Sequence, residues 1–274
     1  MPLLVVYSRF SRDSQVLRRT AQQLGWETLR LDGRELPDWV NAAEPDVAIF
    51  ATMPEAQSIA DQLARTLLGC GADWLPRLPY LFRQREMEVT TFADALTRPA
   101  GKFIKSAITK HLAGKLWTPE ELRQESQRLH PGLAVLVTEP IEFLVEYRCF
   151  VANREVAAIS PYRRFDKNFD ESAPSMNEPA DERAAALNFA RTVLNSEHVE
   201  SPPAFVLDVG LVNDRGWAVV EANQCWASGI YHCDPAQVLR ALQQGCIPAE
   251  PRTGVHQRWD FAAHYAAAVP NWPP

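Results

Sequence analysis

Residues 205–224 read "FVLDVGLVNDRGWAVVEANQ": two apolar runs separated by the polar turn "NDRG", the pattern of a β-hairpin. Polar groups interrupt these runs at Asp208, at Glu221 and at Asn223 two residues further on. Residues i and i+2 of a strand share a face, so Glu221 and Asn223 point the same way, and a short turn near 213–216 sets Asp208 across from Glu221. Three hard oxygen donors on one spot suit Mg²⁺, which keeps several waters and is commonly completed by phosphate oxygens. The alternative is a pair of edge-strand carboxylates facing water. A second candidate lies in "GKFIKSAITKHLAGKLW" (101–117), where Lys105 ends the apolar triplet "FIK" and a Ser/Thr-containing loop carries Lys110 and His111. A strand-end ammonium and loop N–H groups can receive phosphates, although a lone strand-end lysine also serves simply as a solvated group. In "VTEPIEFLVEYRCFV" (137–151), Glu139, Pro140 and Ile141 form a tight segment, with Glu146 and Arg148 in the run that follows. Free backbone groups there could meet a nucleobase, and a carboxylate could accept from ribose hydroxyls; the other reading is a strand with charges on its exposed face.

The elements that must hold these residues fall into two textures. The first third alternates apolar runs ("LLVVYS", "ETLRL", "DVAIFATM") with helix-patterned segments, "DSQVLRRTAQQLG" ended by Gly25 and "EAQSIADQLARTLLG" closed by Gly69. Strand–helix alternation predicts a small, mostly parallel α/β lobe, and it has neither GxGxxG nor a Walker-type loop. "WLPRLPY" (74–80) reads as a connection. From residue 101 onward short strands and turns dominate, with "ANRE" as a hairpin turn. The acidic stretch "DKNFDESAPSMNEPADE" (166–182) is a long loop, solvated or a lid, followed by a helix through "ADERAAALNFARTVLNS" and another at "PAQVLRALQQG". "VPNWPP" is a terminal tail.

Composition narrows the classes. With 28 basic against 34 acidic residues, the 274-residue chain carries −6, which argues against a general nucleic-acid binder. No apolar run approaches a membrane span, and "MPLLVVYSRF" reads as a first strand rather than a signal peptide. Five cysteines without CxxC spacing suggest neither a disulfide frame nor zinc, and a reducing cytoplasm fits them. Oligomeric state is not legible.

The strand lysine "FIK", the segment "TEPI" with Glu146 seven residues after Glu139, and the terminal "D…E-A-N" resemble, in that order, the ATP-grasp superfamily of carboxylate–amine ligases. The likeness covers roughly residues 95–235, and "EYRCFV", "PYRRFD" and "VVEANQCWASGIYHCDP" resemble a compact branch of it. It implies an α/β (α+β) architecture: a pre-ATP-grasp lobe over 1–80, an ATP-grasp domain over 81–250 with lobes at about 81–138 and 139–250, and a C-terminal segment over 251–274. The implied activity is ATP-dependent ligation of a carboxylate to an amine or thiol through an acyl-phosphate. The substrate would be a small molecule, peptide or protein that carries the carboxylate, joined to a nucleophilic acceptor. A nucleotide-binding regulatory protein and a phosphotransferase are the alternatives on the same scaffold. By the same resemblance Lys105, with Lys110 on its loop, would meet phosphates, Glu139–Ile141 adenine and Glu146 ribose. Asp208, Glu221 and Asn223 would hold one or two Mg²⁺, with Mn²⁺ able to substitute. Arg148 and Arg163 would face the γ-phosphate and oxyanion, with Arg164 a further candidate, and Trp226, Ser228 and Tyr231 would line the substrate side. Three departures stand out: no second phosphate lysine is evident among Arg77, Arg83, Arg85 and Lys102, Val206 stands where many relatives place an arginine, and the loop after Lys105 is poor in glycine.

Overall fold

The computed structural model describes residues 1–7, 11–33, 35–40, 46–98, 100–164, the backbone of 167–168, and 178–270. The chain opens with β1 (Leu3–Tyr7), α1 (Arg12–Gln23), β2 (Glu27–Leu31), β3 (Val47–Phe50), α2 (Met53–Gln62) and β4 (Arg65–Leu67). Strand β1 is apolar almost throughout and lies between β2 and β3 in a parallel three-stranded sheet, as expected for a strand covered on both faces. Ser11 caps α1 by accepting the Ser14 N–H. The helix expected to run to Gly69 stops at Gln62 instead. Ala64 turns the chain into the left-handed region, and Arg65–Leu67 pairs antiparallel with β14, introduced below. Burial of "RTL" against that partner overrides its helical spacing.

The "WLPRLPY" connection holds two single-turn helices, α3 (Trp74–Arg77) and α4 (Tyr80–Arg83). Next come β5 (Met87–Thr91), α5 (Phe92–Ala95), β6 (Phe103–Ser106), β7 (Lys115–Leu116), α6 (Pro119–Glu125) and β8 (Ala134–Thr138). They form a four-stranded antiparallel sheet in the order β5-β8-β6-β7, with Phe92, Ile104, Trp117, Leu122 and Val135 in its own core.

A second sheet of five strands carries the site. It runs β11-β10-β9-β12-β13, built from β9 (Phe143–Ala152), β10 (Glu155–Arg164), β11 (Lys167–Asn168), β12 (Ala204–Val212) and β13 (Gly216–Asn223), with α7 (Ala180–Asn195) between β11 and β12. One face of β9 and β12 presents Val145, Tyr147, Cys149, Phe205, Leu207 and Val209 to a core shared with α7. The other face is divided. Phe150, Ala152, Val206 and Ala158 pack on α8 (Pro235–Gln244) in a core continuous with the N-terminal sheet, whereas Glu146, Arg148 and Asp208 continue the same face as a polar surface. Strand β14 (Cys246–Pro248) then crosses back to β4. Helices α9 (Gly254–Trp259) and α10 (Phe261–Ala268) run over Trp226, whose ring meets Phe261 edge-on at 5.1 Å. Val269 is buried against the four-stranded sheet's core, and residues 271–274 of the expected tail lie outside the described residues. The 166–182 loop lies there too, apart from the backbone of β11 and residues 178–182, and with it the lid reading. The five cysteines are buried and free, and no helix among the described residues is long and apolar enough to cross a membrane.

Candidate active site

The β12–β13 hairpin forms as its pattern predicts. Asp208 and Glu221 are register partners, and a bulge directly after that pair makes Val220 the extra residue. Arg85, buried between the two sheets, donates from Nη1 to Val219 O (2.8 Å) and from Nη2 to Val220 O (2.9 Å), so it ties down the bulged backbone that aims Glu221. Burial lowers the Arg85 pKa to about 10, against the pull of nearby Glu221. Arg85, one of the sequence candidates for a second phosphate cation, is thus committed to carbonyls.

The three oxygen-bearing side chains do converge. Asn223 Nδ2 donates to Glu221 Oε1 (2.8 Å) and to Asp208 Oδ2 (3.2 Å), bridging the two carboxylates. Each carboxylate also has a cation. Lys105 Nζ, at the end of β6, makes a short contact with Glu221 Oε2 across the gap between the two sheets. Arg148 grips the fully buried Asp208 with a bidentate fork, Nε to Oδ1 at 3.0 Å and Nη2 to Oδ2 at 2.7 Å. Arg148 is the register partner of Asp208 on β9, so the guanidinium sought two residues upstream of Asp208 arrives from the neighbouring strand. Burial opposes the charge on Glu221, but Lys105 and Asn223 outweigh it and hold the carboxyl at about 2. Burial likewise opposes the charge on Arg148, and Asp208 more than offsets it, so the guanidinium sits above its ordinary value.

A second polar group adjoins the first. Glu146, two residues before Arg148 and therefore on its face, accepts from the Tyr162 hydroxyl in a short contact and from Arg163 Nη1 at 3.1 Å. Burial raises its carboxyl above the ordinary range, with Tyr162 and Arg163 pulling the other way. The Tyr162 ring stacks on Tyr231 with centroids 5.3 Å apart, and Arg148 lies 5.1 Å from each ring. Tyr162 is the tyrosine of "YRR"; sequence reasoning weighed the arginines of that motif and passed over it.

Other expected residues stand apart from this network. Lys110 is exposed on the loop between β6 and β7. That loop is held down by more than glycine content would suggest: Ser106 N–H donates to Leu112 O (3.1 Å), Leu112 N–H to Ser106 Oγ (2.7 Å) and Ala107 N–H to Ala134 O (3.0 Å). Glu139 pairs with Arg215 at 2.7 Å, a contact that lowers its carboxyl, and its N–H donates to Glu86 O. Pro140 is exposed and Ile141 half-buried on the same connection between β8 and β9. Arg164 pairs with Glu182 on α7. Of the downstream candidates, Trp226 is in the core with its Nε1–H on Leu68 O (3.0 Å), and the Ser228 hydroxyl donates to Gln224 O (2.7 Å), so both are structural. Tyr231 alone reaches the polar face.

Among the described residues no group of three His, Cys, Asp or Glu side chains is placed to hold a metal. The set here is two carboxylates and an amide, all hard donors, linked into one patch at the edge of the cleft between the sheets. Its donor chemistry fits a hard divalent cation, with Lys105 and Arg148 supplying the positive charge in this form.

A family model of the ATP-grasp domain, the second family of its clade, matches residues 82–241, which contain both antiparallel sheets and every residue of the network. The chain belongs to this family of ATP-grasp domains. Solved structures agree on the fold. The D-cycloserine synthetase DcsG superposes with a TM-score of 0.53 at 12% identity, covering 89% of this chain and 98% of its own. The L-amino acid ligase from Bacillus licheniformis gives 0.52 at 13% identity, covering 93% of this chain and 76% of its own. No curated protein matches. In this ATP-grasp chain the parallel β2-β1-β3 sheet precedes the matched region.

Proposed function

We propose that this ATP-grasp protein is an ATP-dependent ligase that activates a carboxylate as its acyl-phosphate and passes it to an amine or thiol. The observation that carries the reading is the single hydrogen-bonded chain from Lys105 through Glu221, Asn223 and Asp208 to Arg148, which joins the two sheets across their cleft. In this reading Asp208, Glu221 and Asn223 hold Mg²⁺, which when bound neutralises charge on the triphosphate. Lys105, paired with Glu221 in the structure, is then free to turn to a phosphate oxygen. Glu139–Ile141 border the base and Glu146 the ribose. Arg163, whose side chain is partly exposed beside Glu146, faces the transferring phosphoryl group, and Arg148 fixes the orientation of Asp208. A carboxylate oxygen attacks the γ-phosphorus, the β–γ bridging P–O bond breaks, and ADP leaves. The acceptor then displaces phosphate, its oxyanion stabilised by the arginines.

ADP release measured with pools of carboxylates and amines tests this directly. Full turnover requiring Mg²⁺ and both pools is expected. Turnover that needs a single pool, or equal turnover in Asp208→Asn, would sink the ligase reading.

A further inference from the structure

Beside the phosphate-facing network lies a junction that no part of that chemistry uses. The peptide group between Gly229 and Ile230 is held from both sides: Gly229 O accepts from Arg148 Nη1 (3.1 Å), and Ile230 N–H donates to Asp13 Oδ2 (2.9 Å). Asp13 belongs to the first turn of α1, so the N-terminal lobe and the central strand β9 meet across this one peptide. A methyl built on Gly229 would find Asp13 Oδ2 at 3.5 Å, Tyr231 Cε2 at 3.8 Å and Arg148 Nη1 at 3.9 Å, all ordinary contacts. One small unfilled spot is therefore bordered by a carboxylate, an aromatic ring and a guanidinium.

Tyr231 is kept there at some cost, since its φ of +49° lies in the left-handed region that side chains avoid. The strained backbone turns the ring onto Tyr162 and beside Arg148. Two of an arginine's five N–H donors remain after Asp208 and Gly229 O take three.

We propose that this junction binds the charged head of an α-amino acid, its ammonium on Asp13, its carboxylate toward Arg148, and the Tyr231 ring alongside. Each group suits its half: carboxylates bind ammonium in charge-assisted hydrogen bonds, guanidinium binds carboxylate, and an aromatic face tolerates a cation. The assignment rests on the ligase reading in one respect. An ammonium held on Asp13 stays protonated and cannot be the nucleophile, so the amino acid is the carboxylate donor. Its carboxylate oxygen forms the bond to the γ-phosphorus as ADP departs, and a separate amine or thiol is the acceptor.

Calorimetry on the full chain without nucleotide, with each of the proteinogenic amino acids in turn, tests the site. At least one should bind saturably, and the matching acid lacking the amino group should not. Asp13→Asn keeps an acceptor for the Ile230 N–H while removing the charge, and Gly229→Ala fills the spot at tolerated distances. Each should weaken binding about tenfold or more, with thermal unfolding confirming that both fold. Failure of every amino acid to bind, equal binding of the des-amino acid, or unchanged affinity in both variants would overturn the site. Amino-acid binding without ADP release from any pool would leave the site standing and remove the ligase reading. ADP release with other carboxylates and no amino-acid binding would do the reverse.

Discussion

Replacing Arg148 by methionine should cost more stability than any other single change in the polar face. Asp208 has no solvent exposure, and Arg148 supplies two hydrogen bonds to it at 3.0 and 2.7 Å. Removing one member of a buried ion pair leaves the other charge without compensation, at about 3–5 kcal/mol. Against a typical total of about 5–15 kcal/mol, that is a large share. The reciprocal change, Asp208→Asn, is milder, about 1–2 kcal/mol, because Asn retains an acceptor oxygen. Arg148 also keeps Gly229 O and the two tyrosine rings. The double variant should then cost about 2 kcal/mol less than the sum of the singles, the coupling of a contacting pair. Urea unfolding followed by tryptophan fluorescence and circular dichroism, with EDTA and no nucleotide, reads all three. A cost under about 1 kcal/mol for Arg148→Met, or strict additivity in the double variant, would refute the buried-pair reasoning.

Three other outcomes follow from the same geometry. Glu221 is held at about 2 against an ordinary 4.5, so the stability its Lys105 pair contributes is complete above pH 4.5 and drains away as pH falls toward 2. An acid titration of unfolding should show this, and Lys105→Met should move the loss to higher pH. Arg85→Met strips charged donors from the carbonyls of Val219 and Val220 and should cost about 3 kcal/mol by thermal unfolding, with Arg85→Lys recovering only part. Gly210→Ala would bring a methyl to 2.5 Å from the Phe143 ring and 3.0 Å from Val145 O, so overpacking of about 1–3 kcal/mol is expected in the same assay.

The legible parts of the sequence were the local ones. "NDRG" between two apolar runs set the β12–β13 register, so the facing of Asp208 and Glu221 could be read from residue order alone. Gly25 and Gly245 marked the ends of α1 and α8 to within two residues. What escaped depends on distant partners. Arg148 and Asp208 are 60 residues apart, Lys105 and Glu221 116, and Arg85 and Val219 134, and no periodicity reports such pairs. The oxygen cluster was thus expected without the cations that balance it. Leu67 looked helical because its burial comes from β14, far downstream in the chain. Asp13 carried no signal at all, since only folding brings α1 beside Gly229.

The most direct measurement follows ¹⁸O from a pool of carboxylate-labelled amino acids incubated with the protein, Mg²⁺, ATP and hydroxylamine as acceptor. Phosphoryl transfer to the carboxylate must carry one labelled oxygen into inorganic phosphate as the hydroxamate forms, and Lys105→Met should suppress both. Label-free phosphate accompanying ADP, or no ADP at all, would contradict an acyl-phosphate ligase.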